Sequence, residues 1–223
     1  MTPILVFARA PVPGRTKTRL IPALGAAGAA QLHRALVRHA LEAGAAAAPG
    51  GLELWGAGDD PDDELATLAE AVGADLHWQP DGDLGVRMKT ALADAIARQG
   101  AAMVVGSDCP WLDADGLREA GDALAHHDAV LGPADDGGYV LFGMRRIEDV
   151  LFDDMPWGTE RVLGQTRERL RTLGWDWLEL ASRSDIDRPE DLPRLRARSA
   201  LRLDYRIRRR SRPAAADDRA AST

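Results

Sequence analysis

The 223-residue sequence has one cysteine, few aromatic residues and no long apolar run. A single cysteine excludes an internal disulfide bond and a zinc site built from several thiolates. No apolar stretch approaches the roughly 20 residues of a membrane-spanning helix, and no charged-then-apolar leader begins the chain. We therefore expect a cytoplasmic protein without a membrane partner. The content of 45% hydrophobic and 5% aromatic residues suits a single α/β domain with a sizeable core.

Positive charge is scarce outside the last part of the chain. Residues 194–223 contain ten arginines and three aspartates, although the whole chain has a formal net charge of −7. The preceding residues therefore carry a net charge of −14, which argues against a nucleic-acid partner. The composition changes after Arg198, so we expect a folded domain at 1–197 and an Arg-rich, disordered tail at 198–223. Such a tail is usually solvated, although it could bind an acidic partner or the acidic body.

Predicted strands and helices alternate along most of the chain. Strands are predicted at 3–8, 52–56, 74–79, 102–105, 129–132, 137–143 and 176–181. Helices are predicted at 27–47, 61–72, 84–99, 114–126, 147–152, 159–173 and 189–197. This order favours a mostly parallel sheet of about seven strands covered by helices on both faces. Because no helix precedes the strand at 137–143, we expect that strand to be the one antiparallel member.

The apolar run at 102–105 is typical of a buried strand, and it stops at Gly106-Ser107-Asp108-Cys109-Pro110. Proline cannot donate to a ladder, so Asp108 is presented at the carboxyl end of the strand. In open α/β sheets ligands bind at that edge. The alternative, that Asp108 caps a loop or the next helix, is equally compatible with this stretch.

The loop after the first strand carries four cations, Arg9, Arg15, Lys17 and Arg19. Guanidinium and ammonium groups in one strand–loop junction of an acidic domain favour phosphate binding over a solvated loop. The spacing is not that of a Walker A loop, because Thr16 precedes the lysine and Gly14 stands alone.

Two further segments have both structural and functional interpretations. Asp83 is a natural N-cap, and Arg87 lies one turn into the following helix, where it could reach a ligand or pair with Asp83. In the second segment, Asp135 and Asp136 precede two glycines. A tight turn is sufficient to explain this sequence, and close approach of a ligand is the alternative.

A third acidic segment follows the last predicted strand. Asp185 and Asp187 are two apart in an extended segment, so both should point to the same side. If Asp187 meets Asp108, the resulting oxygen site fits Mg²⁺ or Mn²⁺. The five histidines, which show no ligand spacing, are interpreted as surface or core residues: His33, His39, His77, His126 and His127. Cys109 is interpreted as a packing residue rather than a nucleophile.

Six motifs occur in an order that resembles a known family. They are FARAPVPGRTKTRL at 7–20, GDLGVRM at 82–88, GSDCPWL at 106–112, GPADDGGYVLFGM at 132–144, MPWGT at 155–159 and DIDRPEDL at 185–192. Together they resemble the bacterial radical-SAM/selenodomain-associated transferase 1 family over about residues 3–195. That family is similar to 2-phospho-lactate guanylyltransferase and, more remotely, to the molybdenum-cofactor guanylyltransferase. All belong to the GT-A, or nucleotide-diphospho-sugar transferase, superfamily, so the resemblance implies a GT-A-like three-layer αβα sandwich.

The resemblance also implies roles for particular residues. Catalytic roles fall on Lys17 and Asp108. Nucleotide and phosphate binding falls on Arg15, Lys17, Arg19, Asp83, Gly85, Arg87 and Ser107. The acceptor pocket falls on Asp136, Gly137, Gly138, Tyr139, Trp157 and Thr159, and the metal ligands on Asp108, Asp185 and Asp187. The guanylyltransferase loop with paired glycines is replaced here by ARAPVPGRTKTR, so the identity of the base stays open.

These observations lead to one principal hypothesis and two alternatives. The first is a transferase that uses Mg²⁺ (or Mn²⁺) to move a nucleotidyl group from a nucleoside triphosphate to a small phosphorylated acceptor. The second is glycosyl transfer from a nucleotide sugar. The third is a nucleotide-binding regulator without catalysis. A triphosphate suits the cationic loop better than a nucleotide sugar, because it has more charge to neutralise.

Overall fold

The computed structural model describes residues 1–196, which form one seven-stranded sheet with helices on both faces. The strands are β1 (Ile4–Arg9), β2 (Leu52–Ala57), β3 (Asp75–Trp78), β4 (Ala102–Gly106), β5 (Ala129–Pro133), β6 (Tyr139–Met144) and β7 (Trp177–Glu179). Their order across the sheet is β3-β2-β1-β4-β6-β5-β7. Strand β6 is antiparallel to both of its neighbours, and all the other pairs are parallel. The predicted fold class and its one antiparallel member are confirmed.

The helices alternate with the parallel strands as expected. They are α1 (Ile21–Ala47), α2 (Glu64–Glu70), α3 (Leu84–Gln99), α4 (Ala114–Ala123), α5 (Val162–Thr172) and α6 (Leu192–Arg196). Single 3₁₀ turns occur at Thr18–Leu20, Asp149–Leu151 and Pro189–Asp191. Asp83 caps α3 by accepting the Val86 N–H at 2.9 Å, and Asp113 caps α4 in the same way through the Gly116 N–H, as their positions predict.

The core consists of two layers that the sheet separates. Successive side chains of a strand point to opposite faces, so Val105 packs with the cluster under α1, α2 and α4, whereas Val104 packs with the cluster under α3 and α5. A smaller cluster joins the start of α1 to Ile186 and α6. That cluster brings the 185–192 segment back beside the first loop, which positions the site described below.

Several sequence predictions differ from the structure in their bounds, and three of these differences have a clear physical reason. The helix predicted at 27–47 begins earlier, at Ile21, but it is broken at Gly25, where φ is +74°. The helix predicted at 147–152 is only a 3₁₀ turn, because a six-residue segment has too little helix stability of its own to resist its surroundings. The strand predicted from Gly137 begins at Tyr139, since Gly137 and Gly138 form the preceding turn by donating to Ala134 O and Asp136 Oδ1.

No helix within residues 1–196 is both long enough and apolar enough to cross a bilayer. The tail predicted at 198–223 lies outside the described residues, and so does the domain boundary at 197.

Candidate active site

A cleft of about 680 Å³ opens at the carboxyl ends of β1, β2 and β4. Its floor comes from the strand ends and its walls from the first loop and from the start of α3. The lining residues are Phe7, Ala8, Arg9, Arg15, Thr16, Lys17, Thr18, Arg19, His33, Ala57, Gln79, Gly82, Asp83, Leu84, Arg87, Gly106, Ser107, Asp108 and Asp187. The structure therefore brings the cationic loop and the strand-end aspartate to one cleft, at the edge of the sheet where ligands bind in open α/β folds.

Lys17 is the most constrained residue of the first loop. Its φ of +47° is left-handed, an uncommon conformation for a residue with a side chain. The loop is held on either side, because Thr16 donates to Val12 O and Leu20 is fully buried. This backbone directs the Lys17 side chain inward, and only 3% of it is exposed.

The Lys17 ammonium group joins three chain segments. It lies 2.8 Å from Asp108 Oδ2 and 3.9 Å from Asp187 Oδ1, and it donates to the carbonyl oxygen of Ile186. The backbone is tied at the same place, because the Ile186 N–H donates to Asp108 O at 3.0 Å. Residues about eighty positions apart in the sequence thus converge on one buried ammonium group.

Asp108 is ionised in this setting. Burial raises the pKa of its carboxyl group, but Lys17 and His33 together lower that pKa by more, and the result is well below the ordinary range. His33 acts in the same direction as Lys17, although at 3.6 Å its ring nitrogen is too far from Asp108 for a hydrogen bond. Asp108 is therefore available as an anionic oxygen ligand at any physiological pH.

The two arginines of the first loop also have carboxylate partners. Arg15 Nη1 lies 2.8 Å from Asp59 Oδ2 in an exposed pair. Arg19 donates to Asp187. Both pairs are at the rim of the cleft, where ion pairs contribute little to stability and can exchange partners. An incoming anionic ligand can take the place of either carboxylate.

The predicted trio of metal ligands is only partly assembled. Asp187 lines the cleft beside Lys17, whereas Asp185 is outside the lining. Burial raises the pKa of Asp185, and so do the charges of Asp136, Asp108 and Asp187, against the opposing effect of Lys17. Within residues 1–196, no three His, Cys, Asp or Glu side chains are grouped tightly enough to hold a metal by themselves. A metal at Asp108 would thus need further oxygen ligands from water or from the substrate.

The other predicted nucleotide-binding residues fall into two groups. Asp83, Arg87 and Ser107 line the cleft, and Arg87 donates to Gly82 O at 3.0 Å rather than pairing with Asp83. Gly85 does not line it: a Cβ there would lie 2.7 Å from Trp157 Nε1. A packing constraint therefore explains this glycine, because α3 and the 155–159 segment touch.

The predicted acceptor residues lie together beside the cleft but not in its lining. Asp136 accepts the Gly138 N–H, and Thr159 donates to Pro156 O. A Cβ on Gly137 would lie 2.3 Å from the backbone oxygen of Glu160. Tyr139 packs on Phe142 with ring centroids 5.2 Å apart, and burial raises its pKa. All of these contacts are structural, and the acceptor role of these residues remains a prediction.

The residue that sequence reasoning missed is His33. It lies on the buried face of α1 and lines the cleft, with 6% of its side chain exposed. Its Nε2 bonds to Arg9 O at 3.0 Å, and its Nδ1 faces Asp108. The available signal was its place on an otherwise apolar helix face beside Leu32, Leu36 and Val37, where a polar ring must have a partner.

The fold and the position of the cleft define a domain of the nucleotide-diphospho-sugar transferase type. The chain belongs to DUF2064, a family described as an uncharacterized protein conserved in bacteria, whose match covers residues 31–159. No curated protein shows significant similarity to the sequence.

Solved structures support the same fold. A protein of Desulfovibrio desulfuricans G20, provisionally assigned as a nucleotide-diphospho-sugar transferase, is 31% identical and superposes with a TM-score of 0.79, over 91% of each chain. A cytidylyltransferase from Leptospira borgpetersenii is 16% identical with a TM-score of 0.59, over 88% of this chain and 85% of its own. Rv0371c of Mycobacterium tuberculosis, in complex with manganese, is 17% identical with a TM-score of 0.54, over 87% and 98%.

Proposed function

We propose that the protein transfers a nucleotidyl group from a nucleoside triphosphate to a small phosphorylated acceptor. The observation that carries the proposal is the convergence of Lys17 and Asp108 at one strand-end cleft, with Arg15 and Arg19 at its rim. A triphosphate brings several negative charges into the cleft, and these cations can neutralise them. The names of the cytidylyltransferase and of the Desulfovibrio protein support a nucleotide-dependent transferase in general terms.

The chemistry would be an in-line displacement at the α-phosphorus. An acceptor oxygen forms the new bond to phosphorus, the bond to the β-phosphate oxygen breaks, and pyrophosphate leaves. Lys17, held by Ile186 O and Asp108, positions and neutralises the phosphates without needing to reorganise. The protein supplies position and charge rather than a covalent intermediate.

The residues fit a divalent cation. Asp108 Oδ1 is a buried carboxylate oxygen without a hydrogen-bond partner, and Asp187 approaches the same ammonium group. Hard oxygen donors of this kind, one or two from the protein and the rest from phosphates, suit Mg²⁺ or Mn²⁺. We propose that Asp108 holds the ion, with Asp185 or Asp187 completing the site. When bound, the ion would add positive charge to the phosphate cleft.

The first experiment measures pyrophosphate release. The protein is incubated with Mg²⁺ or Mn²⁺, each of the four nucleoside triphosphates and a panel of small phosphorylated acids. We expect release that depends on both the nucleotide and an acceptor. Asp108→Asn should lower the rate by about 100-fold or more, the usual effect of removing a charge aimed at the reacting centre. Asp115→Asn, at an exposed site in the first turn of α4 and outside the cleft lining, is the matched control and should keep wild-type activity.

Glycosyl transfer is the second candidate, favoured by the assignment of the 31% identical Desulfovibrio protein. The same assay distinguishes it, because a nucleotide sugar would then give a nucleoside diphosphate and no pyrophosphate. Thermal stabilisation by nucleotide without either product would favour a binding protein without catalysis and would contradict both transfer reactions.

A further inference from the structure

Two polar atoms at the end of the cleft lack partners. They are Nδ1 of His33 and Oδ1 of Asp108, and both are shielded from solvent without a hydrogen bond. They lie 3.6 Å apart. Buried polar groups are almost always paired, so an unpaired couple that faces one another needs an explanation, such as a bound ion.

The hydrogen bond of His33 Nε2 determines that this ring nitrogen carries a proton. The Arg9 carbonyl oxygen can only accept, so Nε2, at 3.0 Å from it, carries the proton. An ion bound at Nδ1 takes the place of the proton that would otherwise face Asp108 there, and Nδ1 then presents its lone pair to the ion. Metal-binding histidines have this arrangement, with the far nitrogen donating to a backbone carbonyl and the near nitrogen free for the ion.

The distance between the two atoms also fits an ion. At 3.6 Å the pair is too long for a hydrogen bond. One ion bound at about 2.1 Å to each atom allows a separation of up to about 4.2 Å. Asp108 uses its other oxygen, Oδ2, for Lys17. An ion at Oδ1 would therefore not displace the lysine, and both cations could act on the same carboxylate.

We infer that His33 Nδ1 and Asp108 Oδ1 together bind a divalent transition-metal ion. The inference deepens the proposed function, on which it rests for the role of the ion, by giving that ion a nitrogen ligand. Imidazole nitrogen suits transition-metal ions such as Fe²⁺, Ni²⁺ and Zn²⁺, whereas Mg²⁺ prefers oxygen. The site should therefore bind a transition-metal ion in preference to Mg²⁺, and Mn²⁺, the weakest binder of that series, is the most demanding probe. Residue His33 would be a metal ligand rather than a core histidine.

Two substitutions separate the functions of the two ring nitrogens. In His33→Gln the amide nitrogen reaches the position of Nε2, so the hydrogen bond to Arg9 O is kept. The nitrogen ligand that Nδ1 offers to the metal is lost. In His33→Asn the side-chain oxygen lies near the position of Nδ1, so an oxygen ligand replaces the nitrogen. His39→Gln, on the same helix but outside the cleft lining, is the matched control.

The test uses Mn²⁺ alone as the probe, without nucleotide. Free Mn²⁺ is counted by electron paramagnetic resonance, and pulsed measurements detect a directly bound ¹⁴N. We expect a ¹⁴N coupling in the wild type and in His39→Gln. His33→Gln should lose it and bind Mn²⁺ about 10-fold more weakly or worse. His33→Asn should also lose the coupling, retain more affinity than His33→Gln, and bind Mg²⁺ nearly as well as Mn²⁺.

Wild-type Mn²⁺ affinity in a folded His33→Gln protein, or no ¹⁴N coupling in the wild type, would overturn the inference. Circular dichroism establishes that each variant is folded, and His33→Asn provides the test if His33→Gln is not. The proposed function fails separately. If Mn²⁺ binds through His33 but no transfer occurs, the metal site is confirmed and the proposed function is wrong. If transfer occurs but His33→Gln binds Mn²⁺ as the wild type does, the proposed function is supported and the metal site is wrong.

Discussion

Replacing Lys17 with methionine tests whether the buried ammonium group holds the cleft together. Methionine keeps a similar length and retains the Cβ at the same positive φ, so the backbone cost of that conformation cancels. The substitution removes the donor to Ile186 O, and an unsatisfied buried carbonyl costs about 1–3 kcal/mol. It also removes the partner of Asp108.

The second contribution must be discounted for solvent. Breaking a fully buried ion pair costs about 3–5 kcal/mol, but 43% of the Asp108 side chain is exposed, so water can replace the lysine in part. We therefore assign about 1–2 kcal/mol to the pair, toward the range of exposed pairs. The two contributions predict that Lys17→Met destabilises the fold by about 2–5 kcal/mol.

A double-mutant cycle isolates the pair. Asp108→Asn alone leaves Lys17 bonded to Ile186 O and close to Asp187, so its cost should be about 1–2 kcal/mol. The double variant should cost less than the sum of the single ones by about 1–2 kcal/mol, the coupling of the pair. Urea unfolding followed by tryptophan fluorescence measures all four proteins, and Lys17→Met should shift the midpoint down by about 1–2 M.

A matched surface pair provides the control. Lys89 lies 2.7 Å from Asp149, with more of both side chains exposed. Lys89→Met should leave the urea midpoint near the wild-type value. Strict additivity of Lys17→Met and Asp108→Asn, or equal effects of Lys17→Met and Lys89→Met, would refute the assignment of Lys17 as the group that joins the three segments.

Two further predictions concern substitutions of glycines with positive φ and of Asp185. Gly137 and Gly14 both have positive φ, +86° and +82°, but only a Cβ on Gly137 would strike the Glu160 backbone. Gly14→Ala should lower the free energy of unfolding by about 1 kcal/mol, from backbone conformation alone. Gly137→Ala should lower it by about 3 kcal/mol or more, which corresponds to a fall in Tm of roughly 6–12 °C. Equal melting points for the two variants would show that the clash with Glu160 relaxes freely. Because the pKa of Asp185 is raised, the folded state binds its proton more tightly, so the wild type loses stability as pH rises past the ordinary value of 3.8. Asp185→Asn should therefore raise Tm at pH 7 by about 2–4 °C or less, with no difference at pH 3, and a lower Tm at pH 7 would contradict this.

Local sequence patterns were sufficient for the architecture. Strand–helix alternation and the missing helix before β6 predicted a parallel sheet with one reversed member, because each signal depends on neighbouring residues alone. Caps such as Asp83 and Asp113 were predictable for the same reason. Bounds failed where packing decides, as at the 3₁₀ turn Asp149–Leu151, since a six-residue segment has no preference strong enough to resist its surroundings.

Only the site residues that follow the end of a strand could be predicted from the sequence. The rule for open sheets indicated Asp108 and the first loop, and both line the cleft. His33 gave no such signal, because its role depends on α1 crossing the end of β1 and placing Nε2 on Arg9 O. Gly85 is the opposite case, and its predicted role in nucleotide binding stays a prediction. It is part of a motif that suggests ligand binding, but the structure places it against Trp157, a contact between segments some seventy residues apart.

The charge arrangement of the cleft would allow an acidic domain to bind the polyanion of the proposed reaction. Arg15 and Arg19 each have a carboxylate partner at the rim, and Lys17 has one in the interior. Rim pairs contribute little to folding, so a phosphate can replace Asp59 or Asp187 at small cost. The buried Lys17–Asp108 pair is different, because Lys17 has a fixed carbonyl partner and Asp108 has a second oxygen free for a cation. The exchangeable cations at the rim would bind the incoming phosphates, and the fixed Lys17–Asp108 pair would hold the phosphates in the position needed for reaction.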